Sequence, residues 1–214
     1  MQLIAGQNTA LPDVVGVRIS LRWPRHPDID ADLSALLLND GKVISSDHFV
    51  FYNQAASPDG SVTHVGKVTD KDAGTVTDSV DLGLASVPAA VDAVVLAVSA
   101  HPGDTGALAQ LGQPEVVVVD PTGQVLASHR LSDLTTEAAV NVLEVYRRAG
   151  AWKVRAVGQG WSDGLAGLAR DFGVEVDDED TYQQDALTDD QPARTPGRPA
   201  VDWSDPPVPA GYEL

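Results

Sequence analysis

The sequence contains no cysteine, and it is poor in aromatic and basic residues. Without cysteine the chain can form no disulfide, no thiolate metal site and no thiol nucleophile. Only 14 lysines and arginines stand against 31 acidic residues, which gives a formal net charge of −17. This negative field repels nucleic-acid phosphates and anionic membrane surfaces, and it attracts cations and basic partners. We therefore expect no binding of nucleic acid.

Long hydrophobic runs are also missing. No stretch approaches the length that a transmembrane helix requires. Residues 1–16 lack a basic segment followed by a long apolar one, so neither a secretory signal nor a membrane anchor is predicted. We expect a soluble cytoplasmic protein that has no transmembrane segment and associates with membranes only through partners.

The composition changes near residue 176. Residues 177–214 contain ten acidic residues, two arginines and six of the 14 prolines. Such a segment buries too little apolar surface to offset the entropy lost on ordering. The sequence thus predicts a folded domain over residues 1–176 and a disordered acidic, proline-rich tail over residues 177–214. In that tail, Trp203 and Tyr212 are either a short docking motif or incidental.

Strand patterns dominate the body of the chain. Apolar residues from Val15 to Trp23 alternate with polar ones that include Arg18 and Arg22, which is typical of a half-buried strand. Further short apolar segments follow, separated by Asp-Gly, Pro-Gly and Thr-Gly turns. The expected fold is mainly β, an antiparallel β-sandwich with a short C-terminal helix. Four residues in the most regular apolar stretches are expected in its core: Trp23, Phe51, Trp152 and Val154.

Two C-terminal segments refine this expectation. Residues 137–158 combine good helix formers with a possible turn at Arg-Arg-Ala-Gly, and we interpret them as a hairpin rather than a helix. Residues 162–176 predict the short helix, with Asp163 as its N-cap and Gly173 as the left-handed residue that ends it.

Aspartates concentrate near the ends of predicted strands. Asp28, Asp30 and Asp32 alternate immediately before the apolar run Ala-Leu-Leu-Leu-Asn, so an extended backbone would place all three on one face. Such groups are hard oxygen donors, which Ca²⁺ binds in irregular sites built from loops. The complete set of candidate donors is Asp28, Asp30, Asp32, Asn53, Asp59, Asp70, Asp72 and Asp78.

Structural roles that need no metal fit the same residues. A solvated acidic edge that prevents strand pairing accounts for the alternating aspartates equally well, and Asp59 could simply serve the Pro-Asp-Gly turn in which it lies. The chain has no EF-hand spacing, no P-loop and no histidine pair typical of zinc sites. Ser57, Asp59 and His64 are close in sequence, but spacing alone does not establish a catalytic arrangement.

Several longer segments carry a resemblance to a known family. They include LIAGQNTAL, DIDADLSALLL, FVFYNQAASPDGSVTH, VDLGLASVP and WKVRAVGQGWSDGLAGLARDFGVEV, and they span residues 1–176 nearly end to end. In these the chain resembles the TerD family of tellurium-resistance and stress-response proteins. The resemblance implies a non-enzymatic β-sandwich that binds Ca²⁺ through acidic loops. It assigns the metal to Asp28, Asp30, Asp32, Asn53 and Asp59, with Asp78 as the remnant of a further acidic segment.

One departure from the family pattern concerns the metal. Where relatives usually carry Gly-Asp after the histidine of SVTH, this chain has Gly66 and Lys67. We expect the Lys67 ammonium to lie among Asp70, Asp72 and Asp78 and to replace a second cation, which leaves one Ca²⁺.

Other functions remain open from the sequence. The chain could be a calcium-independent protein-interaction module of a bacterial stress or surface-signalling complex, with protein partners of that complex. A metal-assisted hydrolase is a third alternative, although no nucleophile and base accompany the acidic cluster in a recognisable pattern.

Overall fold

The structure is a computed structural model, and it describes residues 1–101 and 107–174. These residues form two β-sheets and one short α-helix. The strands are β1 (Gln2–Leu3), β2 (Asn8–Ala10), β3 (Val17–Pro24), β4 (Ala31–Asn39), β5 (Lys42–Val43), β6 (Phe49–Val50), β7 (Val62–Asp70), β8 (Thr75–Leu82), β9 (Ala93–Ala100), β10 (Glu115–Val119), β11 (Val125–Arg130), β12 (Ala139–Arg148) and β13 (Ala151–Trp161); the helix is α1 (Gly164–Asp171).

The strands divide between two sheets. The first, sheet A, has the order β1-β11-β10-β3-β8-β7, and the second, sheet B, has the order β2-β13-β12-β9-β4-β5, with β6 also pairing β4. The pairs are antiparallel except for β1 with β11, which is parallel. The expected mainly-β sandwich is therefore confirmed, and so is the hairpin, which β12 and β13 form.

A single apolar core joins the inner faces of the two sheets. On sheet A, Ile19, Leu21 and Trp23 of β3 point inward while Arg18 and Arg22 point outward, as the alternation predicts. On sheet B, inward residues of β4, β9 and β12 join the same cluster. Burial of this much apolar surface is the main stabilising term for a sandwich of this kind.

Strand β4 is buried on both of its faces. Its inward residues enter the main core, whereas Leu36 and Leu38 belong to a second apolar cluster on the outer face of sheet B. Helix α1 covers that outer face with Leu165 and Leu168. Asp163 occupies the predicted N-cap position, but its side chain makes no capping hydrogen bond. Gly173 has a positive φ of 82° just after the helix, as predicted. Among the described residues, no helix is both long and apolar enough to cross a membrane.

A β-bulge interrupts β7. His64 pairs with Val80 and Lys67 pairs with Asp78, so three residues of β7 advance while β8 advances by two. Gly66 makes this shift with a φ of 99°, in the left-handed range that residues with a Cβ rarely adopt. In a regular strand His64 and Lys67 would face opposite sides. The bulge turns both toward the inner face of sheet A.

Some expectations differ from the structure. Trp23 and Val154 are buried as expected, but Phe51 and Trp152 are only partly buried. Phe51 follows the short strand β6, and its ring packs on Phe49 and Tyr52 rather than in the core. Val15 is exposed because β3 begins two residues later. The predicted disordered tail, residues 177–214, lies outside the described residues.

The bulge gives a first prediction. A Cβ at Gly66 would meet no atom within 4 Å, so Gly66→Ala should destabilise the protein through its backbone conformation alone. We expect a loss of about 1–2 kcal/mol in the free energy of unfolding, measured by urea denaturation. Val65→Ala is the matched control, since Val65 is the exposed neighbour in the bulge. Equal stability of the two variants would contradict this account of Gly66.

Candidate functional site

The acidic residues at the start of β4 meet a lysine from the opposite sheet. Asp30 immediately precedes β4, and Asp32 is the second residue of that strand. Lys67 follows the bulge in β7. The Lys67 Nζ atom lies 2.7 Å from Asp30 Oδ2 and 2.7 Å from Asp32 Oδ1. These are the distances of charge-assisted hydrogen bonds. One ammonium group therefore bridges two carboxylates and connects sheet A to sheet B.

Burial makes this bridge more than a surface ion pair. The side chain of Asp32 is 9% exposed and that of Lys67 is 25% exposed, while that of Asp30 is 44% exposed. Burial lowers the pKa of Lys67, but its hydrogen bonds to Asp30 and Asp32 outweigh that effect, so the pKa lies above its ordinary value. Lys67 therefore carries a full positive charge at neutral pH.

His101 completes the arrangement. Its ring Nδ1 lies 2.9 Å from Asp32 Oδ2, and its backbone N–H donates to the carbonyl of Asp30 at 3.0 Å. The ring also lies near that of Tyr52, with 6.3 Å between ring centroids. Both oxygens of Asp32 thus have a partner. We call Asp30, Asp32, Lys67 and His101 the Lys67 centre.

Asp78 has a different set of partners. Its side chain is fully buried on β8, where Oδ2 accepts the backbone N–H of Leu33 at 2.8 Å and Oδ1 accepts that of Ser79 at 2.9 Å. Leu33 belongs to β4 of the other sheet. Strand β6 pairs β4 only at Ala35 and Leu36, so the Leu33 N–H lies beyond the reach of β6. Asp78 satisfies this donor and ties the two sheets together.

His64 lies against the same carboxylate. Its Nε2 is 2.9 Å from Asp78 Oδ1, and its side chain is buried. The Nε2 atom has no hydrogen bond of acceptable alignment, however, so this is a close polar contact rather than a directed bond. The His64 imidazole, which is close to Ser57 in sequence, therefore faces Asp78.

The Pro-Asp-Gly turn uses Asp59 locally. Asp59 Oδ1 accepts the Ser57 hydroxyl at 2.9 Å and the Ser61 backbone N–H at 2.7 Å. Burial raises the pKa of Asp59, but these hydrogen bonds act in the opposite direction and leave the pKa below its ordinary value. The Ser57 hydroxyl also accepts from Val62 N–H at 3.1 Å. Ser57, Asp59 and His64 therefore do not form a nucleophile, base and orienting acid.

The remaining predicted ligands lie on the surface. Asp28 is exposed in the loop before β4, and its backbone N–H donates to His26 Nδ1 at 3.2 Å. Asn53 is exposed in the turn that Phe51 and Gln54 close with paired backbone hydrogen bonds. Only Asp30 and Asp32, of the six predicted ligands, share a cation, and that cation is Lys67.

This arrangement does not fit a calcium ion. Ca²⁺ requires six to eight oxygens at about 2.3–2.6 Å, whereas an ammonium lies between Asp30 and Asp32, and Asp78 already accepts two backbone N–H groups. Within residues 1–101 and 107–174, no group of three or more histidine or acidic side chains is arranged to hold a metal. Calcium binding by this chain thus stays a prediction, which a titration can test.

The expected partners of Lys67 were wrong. The sequence placed its ammonium among Asp70, Asp72 and Asp78, but Asp70 caps its own turn by accepting the N–H groups of Asp72 and Ala73. The bulge determines the real partners, because it turns Lys67 toward β4. A glycine inside a strand pattern is a recognised signal of a bulge, and Gly66 was that signal.

Two surface clefts lie away from the Lys67 centre. One of about 550 Å³ is lined by residues that include Arg18, Asp81 and Asp120. A second of about 420 Å³ is lined by residues that include His129 and Glu137. In the first, Arg18 donates two hydrogen bonds to Asp81. Neither cleft contains a residue of the Lys67 centre.

Asp78 gives a second prediction. Asp78→Ala removes the acceptor of two buried N–H groups, so we expect it to lower the free energy of unfolding by about 2–5 kcal/mol. Asp78→Asn keeps one acceptor oxygen and should lose less. Asp81→Ala, three residues further along β8, removes only an exposed pair with Arg18, which should cost about 0–1 kcal/mol. Similar denaturation midpoints for Asp78→Ala and Asp81→Ala would refute the inter-sheet role.

Comparison with known proteins identifies the family. The TerD domain profile matches residues 1–172. The tellurium resistance protein TerD of Serratia marcescens is 34% identical over 174 residues, which cover 77% of this chain and 91% of that protein. General stress protein 16U of Bacillus subtilis (strain 168) is 32% identical over 191 residues, which cover 82% and 98%.

A solved structure shows the same fold. It is a homologue of the telluride resistance protein from Streptomyces coelicolor A3(2), which matches 73% of this chain and 95% of its own with a TM-score of 0.60 at 18% identity. The two sheets, the family profile and these relatives agree with the motifs found in the sequence. The chain belongs to the TerD domain family.

Proposed function

We propose that this protein protects bacterial cells against tellurite and related chemical stress, as a cytoplasmic, non-enzymatic binding module. The family membership over residues 1–172 supports this proposal. Relatives named for tellurium resistance and for general stress support it as well. They share about a third of their residues with this chain over most of its length.

A non-enzymatic role is favoured because the candidate catalytic side chains already bond to other groups of the protein. Asp32 is shared between Lys67 and His101, and Asp78 accepts two backbone N–H groups. The Ser57 hydroxyl donates to a turn aspartate and lies in no pair with His64. Nucleophilic and general-base catalysis require groups held toward a substrate. Here the buried groups hold each other and stabilise the sandwich.

Two forms of this role differ in their need for calcium. The family resemblance favours a calcium-binding form, in which Asp30 and Asp32 would be available as ligands only after Lys67 moved away. The present contacts of Lys67 favour a calcium-independent interaction module, and we propose this second form. In it, protein partners of a stress-response complex would bind a domain in which Lys67 already bridges the two carboxylates of the acidic centre.

The biological role can be tested in the source bacterium. Deletion of the gene should lower survival on tellurite, and expression of the wild-type protein from a plasmid should restore it. Overexpression of an unrelated acidic protein of similar size is the control for a nonspecific effect of charge. Equal survival of the deletion strain and its parent on tellurite and on other chemical stresses would exclude the proposed role.

A further inference from the structure

We propose that the Lys67 ammonium takes the place of a divalent cation between Asp30 and Asp32, so that this TerD domain folds and stays folded without calcium. The proposal goes beyond the role in stress resistance, because it concerns how the acidic centre is held together. It starts from the disagreement between the calcium site that the family resemblance implies and the contacts that this chain makes.

The two carboxylates would repel each other without a cation between them. Asp32 is almost fully buried, and the Lys67 ammonium lies between it and Asp30. The Nζ atom is 2.7 Å from an oxygen of each carboxylate. Two neighbouring carboxylates repel each other, and a buried one is costly unless it is paired. A positive charge between the two carboxylates offsets this cost, and Lys67 supplies it. Lysine is attached to the chain, so its presence does not depend on the concentration of any solute.

Backbone and aromatic contacts position Lys67 in this centre. The bulge at Gly66 turns its side chain inward. Its Nζ also lies 5.9 Å from the centroid of the Trp23 ring, close enough for a cation–π contact. Trp23 is itself fully buried in the core. The ammonium thus has two carboxylates and an aromatic face around it, which is a built environment for one positive charge.

Calcium and the Lys67 ammonium exclude each other from this position. A calcium ion bound by Asp30 and Asp32 would need the space that Nζ occupies, and the two cations would repel. Displacing Lys67 would break both of its charge-assisted hydrogen bonds. Asp78 is fixed in place by other contacts, since each of its oxygens already accepts a backbone N–H. Wild-type protein should therefore gain little from calcium.

The test compares thermal melting in a chelator with melting in millimolar calcium chloride. Chelator-treated wild-type protein should show the same melting temperature in both, and no binding heat in a calorimetric calcium titration. Lys67→Met should melt about 4–8 °C lower in chelator, because it removes the positive charge that both Asp30 and Asp32 contact. Calcium should then raise the melting temperature of Lys67→Met, as a ligand selective for the folded state does.

Two further variants separate charge from packing. Lys71→Met makes the same change in net charge at an exposed lysine of the turn after β7, and it should leave melting unchanged. If Lys67→Met fails to fold, the double variant Asp30→Asn with Lys67→Met removes one carboxylate together with the ammonium. This double variant should fold and should melt at the same temperature with and without calcium.

Three results would overturn the proposal. One is a calcium-dependent rise in the melting temperature of the wild-type protein, or binding heat in its titration. Another is a Lys67→Met variant that melts with the wild type. The third is a destabilised Lys67→Met variant that calcium does not stabilise, which would make Lys67 a packing residue only. The tellurite survival assay uses the wild-type chain, so failure of the stress role would leave these melting results intact.

Discussion

The sandwich depends on satisfying two carboxylates that are buried between its sheets. Asp32 lies on β4 of sheet B and Asp78 lies on β8 of sheet A, and each would destabilise the fold if it were left unpaired. They are satisfied in different ways. Asp78 accepts backbone N–H groups, including that of Leu33, and needs no cation. Asp32 is held by the Lys67 ammonium on one oxygen and by the His101 ring on the other. Both sets of contacts cross from one sheet to the other, so these polar links help fix how the sheets are aligned.

These links close an incomplete edge of sheet B. Strand β4 pairs with β9 along its length, but β6 reaches only Ala35 and Leu36 on its other side. The first residues of β4 are therefore left without a neighbouring strand there, and buried backbone donors require partners. Asp78 of sheet A supplies one such partner, since it accepts the Leu33 N–H. Lys67, which the bulge at Gly66 turns toward β4, donates instead to the carboxylates of Asp30 and Asp32. The short β6 strand leaves the first residues of β4 open on one side, and the bulge directs Lys67 toward that same part of β4.

The fold could be predicted from the sequence because its signals are local. Alternation in β3, the turn of the β12–β13 hairpin and the helix signals at Asp163 and Gly173 each involve few neighbouring residues. The partners of the aspartates could not be predicted in this way, because they depend on sheet pairing over long distances in sequence. Asp28 and Asp32 share a face only if the strand begins early, and it begins at Ala31. A single glycine in β7 then decided which carboxylates Lys67 reaches.

An attached cation changes what the domain can respond to. Calcium would bring two positive charges and would leave when its concentration fell, whereas Lys67 brings one and cannot leave. Asp30, Asp32 and Lys67 together keep a net negative charge, in a chain whose net charge is already −17. Because Asp32 is buried, salt screens its pairing with Lys67 less than it screens exposed pairs such as Arg18 with Asp81. If the proposal holds, the acidic centre of this TerD domain is assembled whenever the chain is folded, and its assembly does not follow the calcium concentration.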